Sequence, residues 1–242
     1  MRYHLEALFA DPPVSAAKFE NFIEEWLHMC NVADVTSLMR LSGKRLKNKA
    51  SAILEHHLQS IAHRLTFLSA PCWMFMHMSF IIYGLLSLDE NDTGYLDILF
   101  AMSKVAVNLT RTGGTEFNPQ NLSMLIYGLQ NSNCRENESR HLISSLADLI
   151  GTCKFNFDAQ AIGNTLYGLQ GMTSDSLEVV GLISALVPKI RKYNDPLDAQ
   201  AVGNALYGLQ GMSSDNHAIQ LLISALLSNM ELSRKSPPPA YR

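Results

Sequence analysis

The chain repeats itself. Residues 158–175 read DAQAIGNTLYGLQGMTSD and residues 198–215 read DAQAVGNALYGLQGMSSD, identical at 15 of 18 positions with an offset of 40. Another step of 40 back, from Asn118, gives NPQNLSMLIYGLQNSNCR, which keeps Gln120 and the run Tyr127-Gly128-Leu129-Gln130. A second block moves at the same step: LISSL from Leu142, LISAL from Leu182 and LISAL from Leu222. A fixed period of this length marks stacked supersecondary units. No single unit can bury its own apolar face, so neighbours must share one continuous core.

Two weaker copies precede these. Ile82-Tyr83-Gly84-Leu85 repeats the YGL block, and Ile98-Leu99-Phe100-Ala101-Met102 stands where LISAL is expected. Here the step to the next tyrosine is 44, and Arg111-Thr112-Gly113-Gly114 is the place for the extra residues. Asp34 to Leu46 and Ala50 to Leu65 read as the two helices of a first unit, with an amphipathic helix over Ser15 to Met29 ahead of them. The expected organisation is a leading segment 1–33, an array 34–232 and a Pro-rich tail 233–242. The units run from about 34–70 through 71–115, 116–155 and 156–195 to 196–232.

Each unit reads as two helices. Asp158, Asp198 and Asn118 stand at N-cap positions, the last followed by Pro119 at the favoured first helical position. Ile162, Leu166 and Leu169 then follow the i, i+4, i+7 spacing of one apolar face. Gly171 is expected to end this helix. Asp175 is expected to cap the second, with Glu178 completing a capping box. That helix buries Val179, Leu182, Ile183, Leu186 and Ile190, and Pro188 should kink or shorten its last turn. Asn194-Asp195-Pro196 marks the turn into the next unit. No stretch alternates like a strand. The expected fold is therefore all-α: a right-handed α-solenoid of about five helix-turn-helix repeats with a 40-residue period.

Composition narrows the function. The 242 residues carry 19 Lys+Arg against 22 Asp+Glu, a net charge of −3, with 17% charged and 47% hydrophobic. Such a chain buries a core and lacks the field of a polybasic nucleic-acid binder. No apolar run approaches the roughly 18 residues that span a bilayer, so no membrane partner is expected. Cys30, Cys72, Cys134 and Cys153 stand singly, without a CxxC pair or a secretory start, and read as reduced structural thiols. His56, His57 and His63 share one expected helix beside Glu55, but HExxH is missing, so no metal is expected. GxSxG, GxxxxGK[ST] and GxGxxG in a strand–turn–helix setting are missing too. The expectation is no enzyme, no cofactor and no small-molecule substrate.

A second stripe lies opposite the apolar face of each first helix. Wound at 100° per residue, Gln160, Asn164 and Tyr167 fall close together, with Gly163 and Gly171 beside them. The stripe recurs as Gln200, Asn204, Tyr207, Gly203 and Gly211, and in part as Gln120 and Tyr127, with Met124 in place of asparagine. Two explanations are open. In one, glycines let helices approach, amides form an inter-repeat ladder and tyrosines fill the gaps. In the other, amides read base edges and tyrosines stack on bases. Residues 118–130 hold no charged side chain, whereas a phosphate-tracking groove wants Lys or Arg. The one basic cluster, Arg40, Lys44, Arg45, Lys47 and Lys49, is either a solvated helix end or a phosphate anchor.

Phe157-Asp158-Ala159-Gln160, then Asn164-Thr165-Leu166-Tyr167-Gly168-Leu169 and a Leu/Ala-rich second helix, resembles the octotricopeptide repeat, whose first helix carries an NTLWALA-like block. Asn204 to Leu209 matches equally, and Leu125 to Leu129 in part. The resemblance covers residues 116–230 clearly and 34–115 loosely. Tyrosine stands where the family has tryptophan, and the unit is slightly longer. The resemblance implies a non-catalytic α-solenoid that binds single-stranded RNA in a chloroplast or mitochondrion and promotes its maturation, stability or translation. It points to Gln120, Gln160, Gln200, Asn164, Asn204, Tyr127, Tyr167 and Tyr207 as the RNA-facing set, with Arg40, Lys44, Arg45, Lys47 and Lys49 as anchor. The competing expectation is a protein-binding scaffold, as a subunit of a larger complex such as a mitochondrial ribosome or as an effector. An uncharged groove suits a peptide or helix.

Overall fold

The computed structural model describes residues 16–45, 51–68, 75–87, 93–112 and 118–235. Every regular element among them is helical. The order is α1 (Ala16–Trp26), a 3-10 turn (Leu27–Met29), α2 (Val32–Arg45), α3 (Ser51–Phe67) and α4 (Phe75–Gly84), which runs into a second 3-10 turn (Leu85–Ser87). Then come α5 (Thr93–Thr112), α6 (Pro119–Tyr127), α7 (Asn137–Thr152), α8 (Ala159–Tyr167), α9 (Leu177–Arg191), α10 (Ala199–Gly208) and α11 (His217–Lys235). Each helix packs mainly on the helix two places away. The result is two layers, α2-α4-α6-α8-α10 and α1-α3-α5-α7-α9-α11, with the buried apolar residues between them. This is the packing of an α-solenoid. No helix among the described residues is long and apolar enough to cross a membrane.

The first-layer helices start where short polar side chains can satisfy orphan amides. The Asp158 carboxylate accepts from the Ala161 amide at 2.7 Å, Asp198 from Ala201 at 2.7 Å, and Asn118 from Gln120 at 2.8 Å. Asp158→Ala is expected to cost about 1 kcal/mol in urea denaturation. A change near zero would mean the cap is idle.

Two helix ends differ from expectation. The second helix of the fourth unit begins at Leu177 with Ser176, not Asp175, at the cap. Ser176 is buried and its hydroxyl donates to the Glu178 carboxylate at 2.6 Å, so the carboxylate is held by the cap side chain and not by the cap amide. That hydrogen bond is also what lowers the Glu178 pKa. The first helix ends at Tyr167, four residues before Gly171. Its last turn tightens into i→i+3 bonds, from the Leu169 amide to Leu166 and from the Gln170 amide to Tyr167. Helix α9 runs on through Pro188 to Arg191. The carbonyl that Pro188 deprives of a donor belongs to the exposed Ser184, where water can replace the missing bond.

Glycine sets the spacing of the first layer. A Cβ on Gly168 would stand 2.1 Å from the Ile126 carbonyl oxygen, and one on Gly208 would stand 1.8 Å from that of Leu166. Gly84 is set the same way against the Met39 oxygen at 2.6 Å, and Gly128 against Ile82 and Tyr83. The glycine of every Tyr-Gly pair thus removes the one atom that would hold adjacent helices apart. Gly171 has a similar reason, since a Cβ there would lie 2.7 Å from the Ser132 oxygen.

In the second layer, side chains one repeat on close the preceding helix ends. Lys189 donates to the Cys153 carbonyl at 2.5 Å, and Asn229, at the same repeat position, donates to the Ile190 carbonyl at 3.0 Å. Cys30 and Cys153 are buried, Cys134 is half-buried, and among the described residues none of the three forms a disulfide. Burial, with Asp34 nearby, pushes Cys30 up to about 11, and burial also raises Cys134. Cys72 lies outside the described residues.

Candidate functional site

Close helix approach turns the recurring tyrosine into a column. Tyr83 and Tyr127 stack with ring centroids 6.4 Å apart, and Tyr127–Tyr167 and Tyr167–Tyr207 follow at 5.3 Å each. Neighbouring rings lie within 19° of parallel. Tyr83 and Tyr207 at the ends are exposed, and the two inner rings are half-buried. Burial raises the pKa of the Tyr167 hydroxyl, and the flanking Tyr127 and Tyr207 hydroxyls add to the shift. A base cannot enter between rings 5.3 Å apart, because two van der Waals gaps of about 3.5 Å would be needed. The column therefore offers hydroxyls and ring edges along its length, and a free ring face only at its ends.

The glycine contacts also fix the register of the first unit. Met39 lies under Gly84 as Ile126 lies under Gly168, so Arg40 occupies the position that tyrosine takes in the four later units. Arg40 is exposed, with its guanidinium 5.7 Å from the centre of the Phe80 ring. The sequence reading set Arg40 apart as an anchor, whereas the structure places it at the head of the tyrosine stripe. Lys44 and Arg45 lie in the last turn of α2, and Lys47 and Lys49 lie outside the described residues.

The amides divide into two sets. Gln120, Gln160 and Gln200 are exposed, and Asn164 and Asn204 are half-buried. Among the described residues, no protein hydrogen bond reaches the side-chain amides of these five. Met124, Asn164, Gln200 and Asn204 line a recess of about 340 Å³ together with Tyr83, Tyr127 and Tyr167. The inter-repeat ladder is built instead by Gln130, Gln170 and Gln210, which sequence reasoning missed although all three recur at the step of 40. Gln170 Nε2 donates to the Gln130 carbonyl at 3.1 Å, and Gln210 Nε2 donates to that of Gln170 at 3.4 Å. Gly163 leaves the stripe: it is buried against Ala201. Packing thus claims Gly163, Gly171, Gly211 and the ladder of Gln130, Gln170 and Gln210, leaves Gly203 facing open space, and leaves the other amides uncommitted.

The stripe also changes along the array. In the register of Gln160 and Asn164, the second unit carries Met76 and Phe80, and the third carries Gln120 and Met124. Its early half is apolar and its late half is amide-rich. On the other layer, a larger recess of about 1010 Å³ is lined by residues of α1, the 3-10 turn after it, α3 and α5, and shares none with the stripe. His57 there is buried, 5.9 Å from the Phe19 ring. Among the described residues, no group of three or more His, Cys, Asp or Glu side chains could hold a metal ion. His56 lies outside the residues whose side chains are described.

Comparison with protein-family models, with curated proteins and with solved structures finds no match.

Proposed function

We propose that this chain is a non-catalytic recognition module, a right-handed α-solenoid of five octotricopeptide-type repeats, that lays single-stranded RNA along the α4-α6-α8-α10 stripe. One observation carries the reading. Asn164, Asn204, Gln160 and Gln200 recur in register, one pair per repeat, and the protein's own hydrogen bonds leave their amides unused. Amides spaced by the repeat can meet successive base edges, the tyrosine hydroxyls add donors beside them, and Arg40 gives the stripe a cation at its head. Bases meet edges and hydroxyls here, and stacking is confined to the column's ends.

A second reading, an extended peptide or helix of a protein partner, is favoured by Met76, Phe80 and Met124, which make the early stripe apolar. Titration of labelled single-stranded RNA across salt concentrations separates the two. If Arg40 alone meets phosphate, log K should fall with log salt at a slope of about −0.7, and at about −3.5 if all five basic residues do. Asn164→Ala with Asn204→Ala should weaken binding roughly a hundredfold, ten for each lost base contact. RNA that binds the double variant as well as the parent, or fails to bind either at low salt, rules out the RNA reading.

A further inference from the structure

The tyrosine column holds phenol rings in contact with one another. Stacked rings sit about 3.5 Å apart, so centroids 5.3 Å apart are displaced sideways by roughly 4 Å, and the edge of one ring lies over the edge of the next. This holds on both sides of Tyr167, toward Tyr127 and toward Tyr207, whereas Tyr83 stands 6.4 Å from Tyr127. The rings cannot drift apart, because the glycine after each one seats its backbone on the neighbouring helix, Gly168 on Ile126 and Gly208 on Leu166. Water still reaches them. Tyr83, Tyr127 and Tyr167 line the recess of about 340 Å³, together with Met124 and the uncommitted amides.

We propose that the column is an oxidative modification site, in which a one-electron phenol oxidant joins Tyr127 to Tyr167 by a carbon–carbon bond. Each of the two phenols gives one electron to an oxidant and its hydroxyl proton to water in the recess. The unpaired electron of each phenoxyl radical spreads onto the ring carbons beside the oxygen. One such carbon from each ring forms the new bond, and the hydrogen it carried moves as a proton to the phenolic oxygen. Both rings regain aromaticity and both hydroxyls return. Two equivalents of oxidant take two electrons, and two protons are released. Tyr83, 42% exposed, is a first point of attack for an oxidant in solution, and an electron passed along the stack from Tyr127 refills it. Tyr127 is the partner of Tyr167, in preference to Tyr207, because it shares the recess with Tyr167 and lies next to Tyr83. The bond ties α6 to α8 across a repeat boundary and closes a loop of 40 residues. It constrains the unfolded chain as a disulfide does, in an array whose described cysteines form none.

The oxidant used is photogenerated tris(bipyridyl)ruthenium(III), with persulfate as terminal electron acceptor, applied to the dilute full chain. The expected product is a monomer with the blue fluorescence of dityrosine and a mass lower by two hydrogen atoms. Its peptide map should link the α6 and α8 segments through Tyr127 and Tyr167, and its melting temperature should rise by several degrees. Tyr167→Phe keeps a ring in the stack and removes the phenol, so the dityrosine yield should fall at least tenfold. Tyr193→Phe, just past α9 and outside the column, should leave the yield unchanged. A chain unfolded in urea before oxidation should lose the Tyr127–Tyr167 link, a comparison that holds whatever the stability of the variants. The proposal fails if the link joins two chains, if the unfolded chain gives the same map, or if Tyr167→Phe couples as well as the parent. Coupling of Tyr167 to Tyr207 alone overturns it too, as does oxidation that stops at Met124 sulfoxide without dityrosine.

Discussion

Gly168→Ala is expected to cost about 3 kcal/mol, at the upper end of what overpacking does, while Gly203→Ala stabilises by roughly 0.5–1 kcal/mol. The chemistry is the same in both cases: one methyl added to a first-layer glycine. At Gly168 that methyl meets a backbone carbonyl at 2.1 Å, and backbone cannot rotate away as a side chain does. Helices α6 and α8 must separate, and with them the Tyr127 and Tyr167 rings. At Gly203 the methyl enters open space in a helix interior, where alanine is the better residue. Urea denaturation with tyrosine fluorescence reads both effects. Equal effects at the two positions would show that the helices are not in backbone contact.

Leu166→Ala should cost about 3 kcal/mol, within the range for a leucine truncated in a packed core, whereas Leu206→Ala should stay within about 0.5 kcal/mol. The two leucines occupy the same place in consecutive, nearly identical blocks. One is fully buried and the other is 67% exposed, and the difference is entirely a matter of what stacks on them. Thermal melts of the pair measure the contrast. A large loss at Leu206 would mean that its side chain is covered in solution.

That contrast shows what repetition reveals and what it hides. The helical character and the caps at Asn118, Asp158 and Asp198 were legible because they depend on residues close in sequence. The tyrosine column was not, since parallel rings 5.3 Å apart follow from backbone approach between helices 40 residues apart. Glycine looked like punctuation at Gly171 because a helix stop and a close neighbour ask for the same residue. Arg40 was hidden for another reason. The first unit has lost the Tyr-Gly pair, so only the seating of Met39 under Gly84 restores its register. Among the amides, Gln160 and Gln170 recur equally well, and the sequence alone had no means of telling the free one from the ladder rung.

The two-layer stack also governs how such a chain reaches its fold. Tertiary contacts join each helix to the one two places on, so ordering never requires closure of a loop much longer than one repeat. Rates of two-state folding rise as contacts become more local, and a linear stack can nucleate at any sufficiently stable pair and grow outward. The near-identical blocks around α8 and α10 make that nucleus redundant: either can start the array, and the other can template on it. Misregistry is the corresponding hazard, because a helix that fits one socket fits its neighbour's almost as well. The departures between units, methionine for asparagine at 124 and a 44-residue step ahead of α6, then act as register marks that keep each hairpin in its own place.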